Sequence, residues 1–299
     1  MSKRTYAILG ATGHVGHVLT QKLLEKGHAV RALGRDEKKL AALKAKGAQT
    51  SSPAIDDATA LTEAFKGADG VFVMIPPSYG AEDFSNYQDK TGEATVQAIS
   101  NSGVKYVVHL SSIGAELPSG TGPIAGLHRQ EQRLNQLSGV NILHLRPSAF
   151  MENEYFALPL IKGQGFNGSA NPADFPMPRV ATKDIGVKAA ELLDGLKFQG
   201  HGFLDFTGPK EYSMKEMTAA LGKALGKPNL NYVQFSLEDA RKGMLGNGLK
   251  PKFVDLFIEM YKAGGEGKLH PNQTLTAEHR GQTTAEEFAE DFAAVYNQS

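Results

Sequence analysis

The sequence predicts an α/β fold, a doubly wound parallel sheet followed by a smaller C-terminal domain. Short apolar runs alternate with segments of helical periodicity, which is typical of βαβ units. The glycine-rich stretch GATGHVG, residues 10–16, follows the first of these runs. After the last run, proline and glycine become dense between Pro159 and Pro178. We therefore expect one domain over residues 1–150 and a second mainly over residues 151–299, with some later elements packing on the first.

Each element follows from its apolar pattern and its end signals. Strands are predicted at residues 6–9, 29–33, 71–75, 104–110 and 141–145, and helices at residues 15–23, 40–43 and 58–65. The continuous apolar character of the later strands indicates that both faces of the sheet are covered. Gly27 is placed to end the first helix, and Asp56 or Asp57 to cap the third. Ser213 and Glu216 form a capping-box pattern at the start of a later helix.

Composition narrows the class of protein. The chain has 32 basic and 32 acidic residues, so its formal net charge is zero, and we expect no direct nucleic-acid partner and no membrane partner. It has no cysteine, which excludes disulfides and a thiol nucleophile. Its nine histidines lack an H-E-x-x-H spacing, so no metal site is expected. No apolar run has membrane-spanning length, and the first strand begins near Thr5, leaving no room for a signal peptide. We expect a soluble, cytoplasmic protein.

The stretch GATGHVG places Gly10, Gly13 and Gly16 between the first strand and an amphipathic helix. Glycine lets the backbone turn sharply, lets a ligand approach without a Cβ in the way, and lets the helix pack closely on the sheet. The N–H groups at the helix start then face an anion, most naturally a pyrophosphate. A glycine turn without a ligand is the alternative. Because the stretch opens a βαβ series, we interpret residues 1–150 as a Rossmann-type, dinucleotide-binding domain.

Four further stretches occur with GATGHVG in a recognisable order: VRALGRDEKK, GVKYVVHLSSIGA, SGVNILHLRPSAFMEN and TGPKEYSMKEM. Together they resemble the NmrA-like branch of the atypical short-chain dehydrogenase/reductase family. That family includes quinone and dye reductases as well as regulators that bind a dinucleotide without turning it over. The resemblance implies an NADPH-dependent oxidoreductase that transfers hydride to a quinone-like or other conjugated small molecule, bound under a C-terminal substrate domain. The alternative is a non-catalytic NADP(H)-binding redox sensor that acts through a protein partner.

Cofactor choice is expected to depend on the end of the second strand. An acidic side chain there would accept hydrogen bonds from the adenine ribose, whereas a cation would pair with a 2′-phosphate. This chain has Arg35, with Lys38 and Lys39 one helical turn further on. The resemblance places Arg35 and Lys39 beside the 2′-phosphate and favours NADP(H) over NAD(H). A solvated helix start, with its charge diluted by Asp36 and Glu37, is the alternative.

The usual catalytic pair of the wider superfamily, Tyr-x-x-x-Lys, does not occur in this sequence. The tyrosine position matches Leu127 and the lysine position matches Glu131. Hydride addition to an ordinary ketone leaves a strongly basic alkoxide that needs a nearby acid, while addition to a quinone leaves a delocalised, weakly basic phenolate. The loss of the pair therefore disfavours alcohol chemistry more than quinone reduction.

Other candidates follow from the resemblance and from topology. A superfamily serine would hold a substrate oxygen at Ser111 or Ser112, although both can simply satisfy backbone groups. His128 can donate a proton near neutral pH, although a surface histidine is the simpler interpretation, and His109 is interpreted as a core residue. Ligands in open α/β sheets lie outside the carboxyl ends of the strands. The predicted site comprises the catalytic candidates Ser112 and His128; the cofactor contacts Gly10, Ala11, Thr12, Gly13, His14, Val15, Gly16, Arg35, Lys39, Met74, Ile75, Pro76, Ser111, Pro147, Ser148 and Phe150; and the substrate contacts Pro77 and Asn153.

Overall fold

The computed structural model describes residues 3–298. The strands are β1 (Thr5–Leu9), β2 (Ala29–Leu33), β3 (Gln49–Ser51), β4 (Gly70–Val73), β5 (Tyr106–Leu110), β6 (Asn141–Pro147), β7 (Ala149–Phe150), β8 (Asn167–Ser169), β9 (Met177–Val180), β10 (His201–Phe206), β11 (Glu211–Tyr212) and β12 (Tyr232–Gln234). The helices are α1 (His14–Glu25), α2 (Glu37–Ala45), α3 (Ala58–Phe65), α4 (Phe84–Ser102), α5 (Ile124–Leu134), α6 (Leu158–Gly163), α7 (Thr182–Gly195), α8 (Met214–Ala224), α9 (Leu237–Gly246), α10 (Pro251–Gly265) and α11 (Ala285–Gln298), with 3₁₀ segments at Met151–Ala157 and Ala277–His279.

The central sheet has seven parallel strands in the order β10-β6-β5-β4-β1-β2-β3. From β1 the chain first moves outward to β2 and β3, and it then crosses back to β4, β5 and β6. The doubly wound, Rossmann-type fold is thus confirmed, and the direction of winding reverses between β1 and β4. Ligands in open α/β sheets bind at this reversal, outside the carboxyl ends of the strands.

Helices cover both faces of this sheet. One apolar cluster joins α1 and α7 to the sheet through residues such as Leu19 and Ile185, and the other joins α3, α4 and α5 through residues such as Phe65 and Ile99. Helices α1 and α7 lie so close that a Cβ on Gly186 would be 2.7 Å from the Cβ of Val18. Both α7 and β10 come from the chain after residue 150, and β10 forms one edge of the sheet.

The remaining elements form smaller sheets and a separate apolar cluster. Strand β9 lies between β7 and β11, and β8 pairs with β12. The cluster unites the segment Met151–Ala157 with α8 and α11 through Met151, Met217, Phe288 and Phe292. In the part of the chain that the structure describes, no helix has the length and apolar character needed to cross a bilayer.

Local signals in the sequence coincide with the observed element ends. Gly27 has φ +81° and follows Lys26, the C-cap of α1. The Asp57 side chain accepts a hydrogen bond from the backbone N–H of Ala60 at the start of α3. Ser213 and Glu216 form the expected capping box of α8. Two strands differ from their predicted bounds. Strand β4 ends at Val73 rather than at residue 75, ahead of the prolines at 76 and 77, which cannot continue the ladder. Strand β5 begins at Tyr106 rather than at residue 104. Strand β3 was not predicted, since its residues QTS carry no apolar signal.

A buried pair of histidines links β5 and β6. His109 and His144 are register partners, and their Nδ1 atoms lie 3.1 Å apart. The Nε2 atom of His144 lies 3.1 Å from Oδ1 of Asn135, which can only accept, so His144 donates there and accepts from His109. Burial, and to a lesser extent the neighbouring His144, lowers the pKa of His109 to about 3. Burial lowers the pKa of His144 to about 4. Both rings are therefore neutral, which confirms His109 as a hydrogen-bonded core residue.

Candidate functional site

The three glycines of GATGHVG, at the junction of β1 and the first turn of α1, have different roles. Gly10 has φ +75°, and a Cβ built on it would lie 3.1 Å from Sδ of Met74. A Cβ on Gly16 would lie 2.2 Å from the carbonyl oxygen of Gly10, so the start of α1 packs directly on the turn. Gly13 is exposed, and a Cβ there would meet only the Gly10 carbonyl oxygen, at 3.3 Å. Gly10 and Gly16 thus serve the turn and the packing, while Gly13 leaves open the space in front of the α1 N-terminus, where a pyrophosphate would fit.

Basic side chains flank this loop. Lys39 in the first turn of α2 directs its Nζ atom to the carbonyl oxygen of Thr12, at 3.4 Å. Arg35 is exposed in the connection between β2 and α2. The Asp36 carboxylate accepts a hydrogen bond from the Lys39 backbone N–H, 3.0 Å long, and so serves as the α2 cap. The Asp36 carboxylate is therefore engaged by the start of α2, and the ammonium of Lys39 lies against the glycine loop.

The predicted contacts after β4, β5 and β6 lie along the same edge of the sheet. Met74 lies against the glycine loop, since its Sδ atom would be 3.1 Å from a Cβ built on Gly10. The carbonyl oxygen of Pro76 accepts a hydrogen bond from the Tyr87 hydroxyl, 2.9 Å long. The N–H of Ile113 donates to the carbonyl oxygen of Pro147, at 3.0 Å, which joins the connection after β5 to the end of β6. Ile75 is half-buried beside these contacts, Ser148 is buried and Phe150 is half-buried.

Glu131, which the sequence resemblance matches to the lysine of the usual catalytic pair, belongs to a buried ion pair. Glu131 on α5 accepts two hydrogen bonds from the guanidinium of Arg146 on β6, at 2.8 and 2.5 Å, and one from the Ser111 hydroxyl, at 2.5 Å. Burial raises the pKa of the Glu131 carboxyl, but the hydrogen bonds from Arg146 and Ser111, together with nearby positive charge such as that of Arg146, hold the pKa below its usual value. Glu131 is therefore an anion fully engaged inside the fold. Arg146 was missed in the sequence, where a cation inside the apolar run NILHLRP was its signal.

The two catalytic candidates are the more accessible polar groups at this edge. The hydroxyl of Ser112 is half-buried and donates to the carbonyl oxygen of Ile113, at 2.9 Å. The half-buried ring of His128 has its Nδ1 atom 2.8 Å from the carbonyl oxygen of Ala115. Because a carbonyl can only accept, Nδ1 carries a proton and Nε2 is the atom left for a ligand. Leu127, at the usual tyrosine position, has no proton to give.

The substrate candidates lie on the two connections that border the glycine loop. Pro77 is exposed after β4, and Asn153 is exposed on the 3₁₀ segment Met151–Ala157. The same segment brings the Tyr155 ring to 6.3 Å from the ring of His14 at the start of α1, measured between centroids. The aromatic residues of these connections were missed in the sequence, because contacts between distant segments leave no local pattern. Among the described residues, no cluster of three or more His, Asp or Glu side chains is arranged to hold a metal ion.

Comparison with known proteins agrees with this geometry. Residues 2–289 match the model of the NmrA-like family. An NAD(P)H azoreductase of Xenophilus azovorans is 30% identical over 260 residues, which cover 85% of each chain. A structure of the NADPH-dependent quinone oxidoreductase of Escherichia coli in complex with NADPH aligns with a TM-score of 0.79 at 22% identity, over 96% of this chain and 99% of that one. The negative transcriptional regulator NmrA in complex with NADP aligns with a TM-score of 0.73 at 19% identity, over 100% of this chain and 98% of that one. The chain belongs to the NmrA-like family.

Proposed function

We propose that this protein is an NADPH-dependent oxidoreductase that reduces a quinone-like or other conjugated small molecule. The observation that carries the choice of acceptor is the buried Glu131–Arg146 pair, because the resemblance matches Glu131 to the catalytic lysine of the wider superfamily. The choice of reaction is supported by membership of a family that contains an NAD(P)H azoreductase 30% identical to this chain.

The residues around the glycine loop fit a nicotinamide dinucleotide. Gly13 leaves space for the pyrophosphate at the N-terminus of α1, a helix whose first turn carries no acidic residue to repel it. Arg35 and Lys39 would pair with the 2′-phosphate of NADPH, and we include the preference for NADP(H) over NAD(H) in the proposal. When bound, the reduced nicotinamide supplies a hydride to the acceptor.

The polar groups at the centre of the site favour an acceptor whose product needs little help from a proton donor. Glu131 is ionised and already takes three hydrogen bonds from Arg146 and Ser111, so it cannot protonate an alkoxide. Ser112 and the Nε2 atom of His128 are the two catalytic candidates that can hold or pass a proton. A quinone or similar conjugated acceptor spreads the new negative charge over its own ring, so its reduction needs no stronger acid than these groups supply.

A cofactor-oxidation screen tests the reaction. We expect quinones, enones or dyes to accelerate NADPH oxidation, and aliphatic ketones to have little effect. The variant His128→Ala distinguishes two routes for the proton: a large loss of turnover with unchanged NADPH affinity would make His128 the donor. Tight NADPH binding without turnover of any conjugated acceptor would overturn the reductase and favour the redox sensor. Robust ketone reduction would instead reveal an acid supplied by another part of the fold.

Affinity measurements test the cofactor preference. The variant Arg35→Ala should weaken NADPH about tenfold to hundredfold, the value of a charge-assisted phosphate contact, and leave NADH nearly unchanged. Lys38→Ala is the matched control, because Lys38 is an exposed cation three residues further on, in the first turn of α2. Equal weakening of both cofactors by Arg35→Ala would overturn the pairing of Arg35 with the 2′-phosphate.

A further inference from the structure

Two exposed aromatic rings from distant parts of the chain touch each other beside the predicted site. Tyr79, on the connection after β4, is 41% exposed, and Phe156, on the 3₁₀ segment Met151–Ala157, is 66% exposed. Their rings meet edge to face with centroids 6.0 Å apart. A single exposed apolar side chain is ordinary on a protein surface, but two in contact form a patch that water solvates poorly.

The chain segments that carry these rings both contact the glycine loop. Tyr79 follows Met74, which lies against Gly10, and Phe156 follows Tyr155, whose ring lies against His14. The two aromatic rings therefore meet where the connection after β4 and the connection after β7 converge on the carboxyl edge of the sheet. A molecule that contacts this pair would therefore lie beside the two segments that contact the glycine loop.

Tyr79 has a rigid support. Its ring packs on Phe253 of α10 with centroids 5.3 Å apart, and Phe253 is only 2% exposed. An ion pair between Asp83 and Lys252, 2.8 Å long, further ties the connection after β4 to α10. Tyr79 is thus held in place by α10, whereas most of the Phe156 ring is exposed to solvent. A planar ring that binds here gains contact with both and removes their apolar surface from water.

We propose that Tyr79 and Phe156 form the acceptor subsite and select planar aromatic acceptors, such as fused-ring quinones or dyes, over small non-aromatic ones. The inference rests on the proposed function for its reaction, since the acceptor must receive the hydride. It adds the residues that hold the acceptor and the class of molecule that they prefer. Stacking against each ring is expected to be worth about threefold to tenfold in affinity.

Steady-state kinetics with two acceptors test the subsite. The variants are Tyr79→Leu and Phe156→Leu, with Phe175→Leu as control, because Phe175 is a similarly exposed aromatic residue, 42% exposed, that lies against His270. For naphthoquinone, each variant at the subsite should raise KM about threefold to tenfold, with little change in the KM for NADPH. For cyclohexenone, and for both acceptors in the control, KM should change less than about twofold. Equal changes for naphthoquinone and cyclohexenone would overturn the proposal, as would a change in oligomeric state without a change in KM.

A binding measurement separates the subsite from the reaction. Naphthol has the fused ring of naphthoquinone but accepts no hydride, and its binding to the NADP⁺-loaded protein can be followed by calorimetry. Weaker naphthol binding in Tyr79→Leu and Phe156→Leu supports the subsite even if the parent protein turns over no acceptor, in which case only the proposed function fails. Turnover of naphthoquinone with naphthol binding and KM unchanged in both variants overturns the subsite and leaves the reductase standing.

Discussion

Replacing Glu131 by glutamine should lower the free energy of unfolding by about 3 kcal/mol. Loss of one partner from a buried ion pair typically costs about 3–5 kcal/mol, since the other charge stays buried without compensation. Here the side chains of Arg146 and Glu131 are 7% and 3% exposed. The Glu116 carboxylate lies 3.5 Å from Nη1 of Arg146 and keeps part of the counter-charge, so we expect the low end of that range.

Urea denaturation measures this loss, with Glu25→Gln as the matched control. Glu25 pairs with Lys22 on the surface, where the two side chains are 60% and 44% exposed, and its loss should cost less than about 1 kcal/mol. The double variant Glu131→Leu/Arg146→Met removes both charges and should be closer to the parent than Glu131→Gln is. A cost for Glu131→Gln within about 0.5 kcal/mol of that for Glu25→Gln would refute the reasoning, because such near-equality is expected of solvated pairs.

The same pair explains why lysine cannot simply be restored at this position. The variant Glu131→Lys would place an ammonium beside the buried Arg146 guanidinium, at the position where three hydrogen-bond donors now meet an anion. Two buried cations repel each other and lose their hydration, and Glu116 would supply only part of the counter-charge that Glu131 now gives. The departure from Tyr-x-x-x-Lys is thus built into the packing of α5 on β6.

Two further predictions concern the glycine loop and the histidine pair. Gly13→Val should fold yet lose NADPH binding, which calorimetry measures. Gly16→Val should be strongly destabilised in thermal denaturation, because its Cβ would lie 2.2 Å from the carbonyl oxygen of Gly10. The same loss of stability in both variants would contradict this division of roles. Below about pH 6.5 the histidines of the unfolded chain bind protons, whereas the buried His109 and His144 stay neutral down to their pKa values of about 3 and about 4. The free energy of unfolding therefore decreases as the pH is lowered through this range. Replacing both by leucine should reduce the slope of unfolding free energy between pH values of about 6 and 4, by up to about 1.4 kcal/mol per pH unit for each histidine, and an unchanged slope would refute neutral burial.

Local residues were sufficient for the bounds and caps of several elements in both halves of the chain. The bounds of β2 and α3, the Asp57 cap and the capping box of Ser213 and Glu216 depend on residues within one or two turns of each other, so their pattern is visible in the sequence. Strand β3 was not predicted, because an edge strand with the polar residues QTS has no apolar alternation. The addition of β10 to the sheet was not predicted either, because pairing with β6 joins residues far apart in the chain.

By itself, the sequence determined the glycine turn, the alternation of strands and helices in the first 150 residues and the absence of the tyrosine–lysine pair, since each depends on residue identity at short spacing. Only the tertiary structure decided what Glu131 does, because its partner Arg146 belongs to another element and lies close only after α5 packs on β6. It alone also brought Tyr79 to Phe156. The physical reason is the same in both cases: a side chain's chemistry depends on its partners and its burial, and these exist only once distant segments have come together.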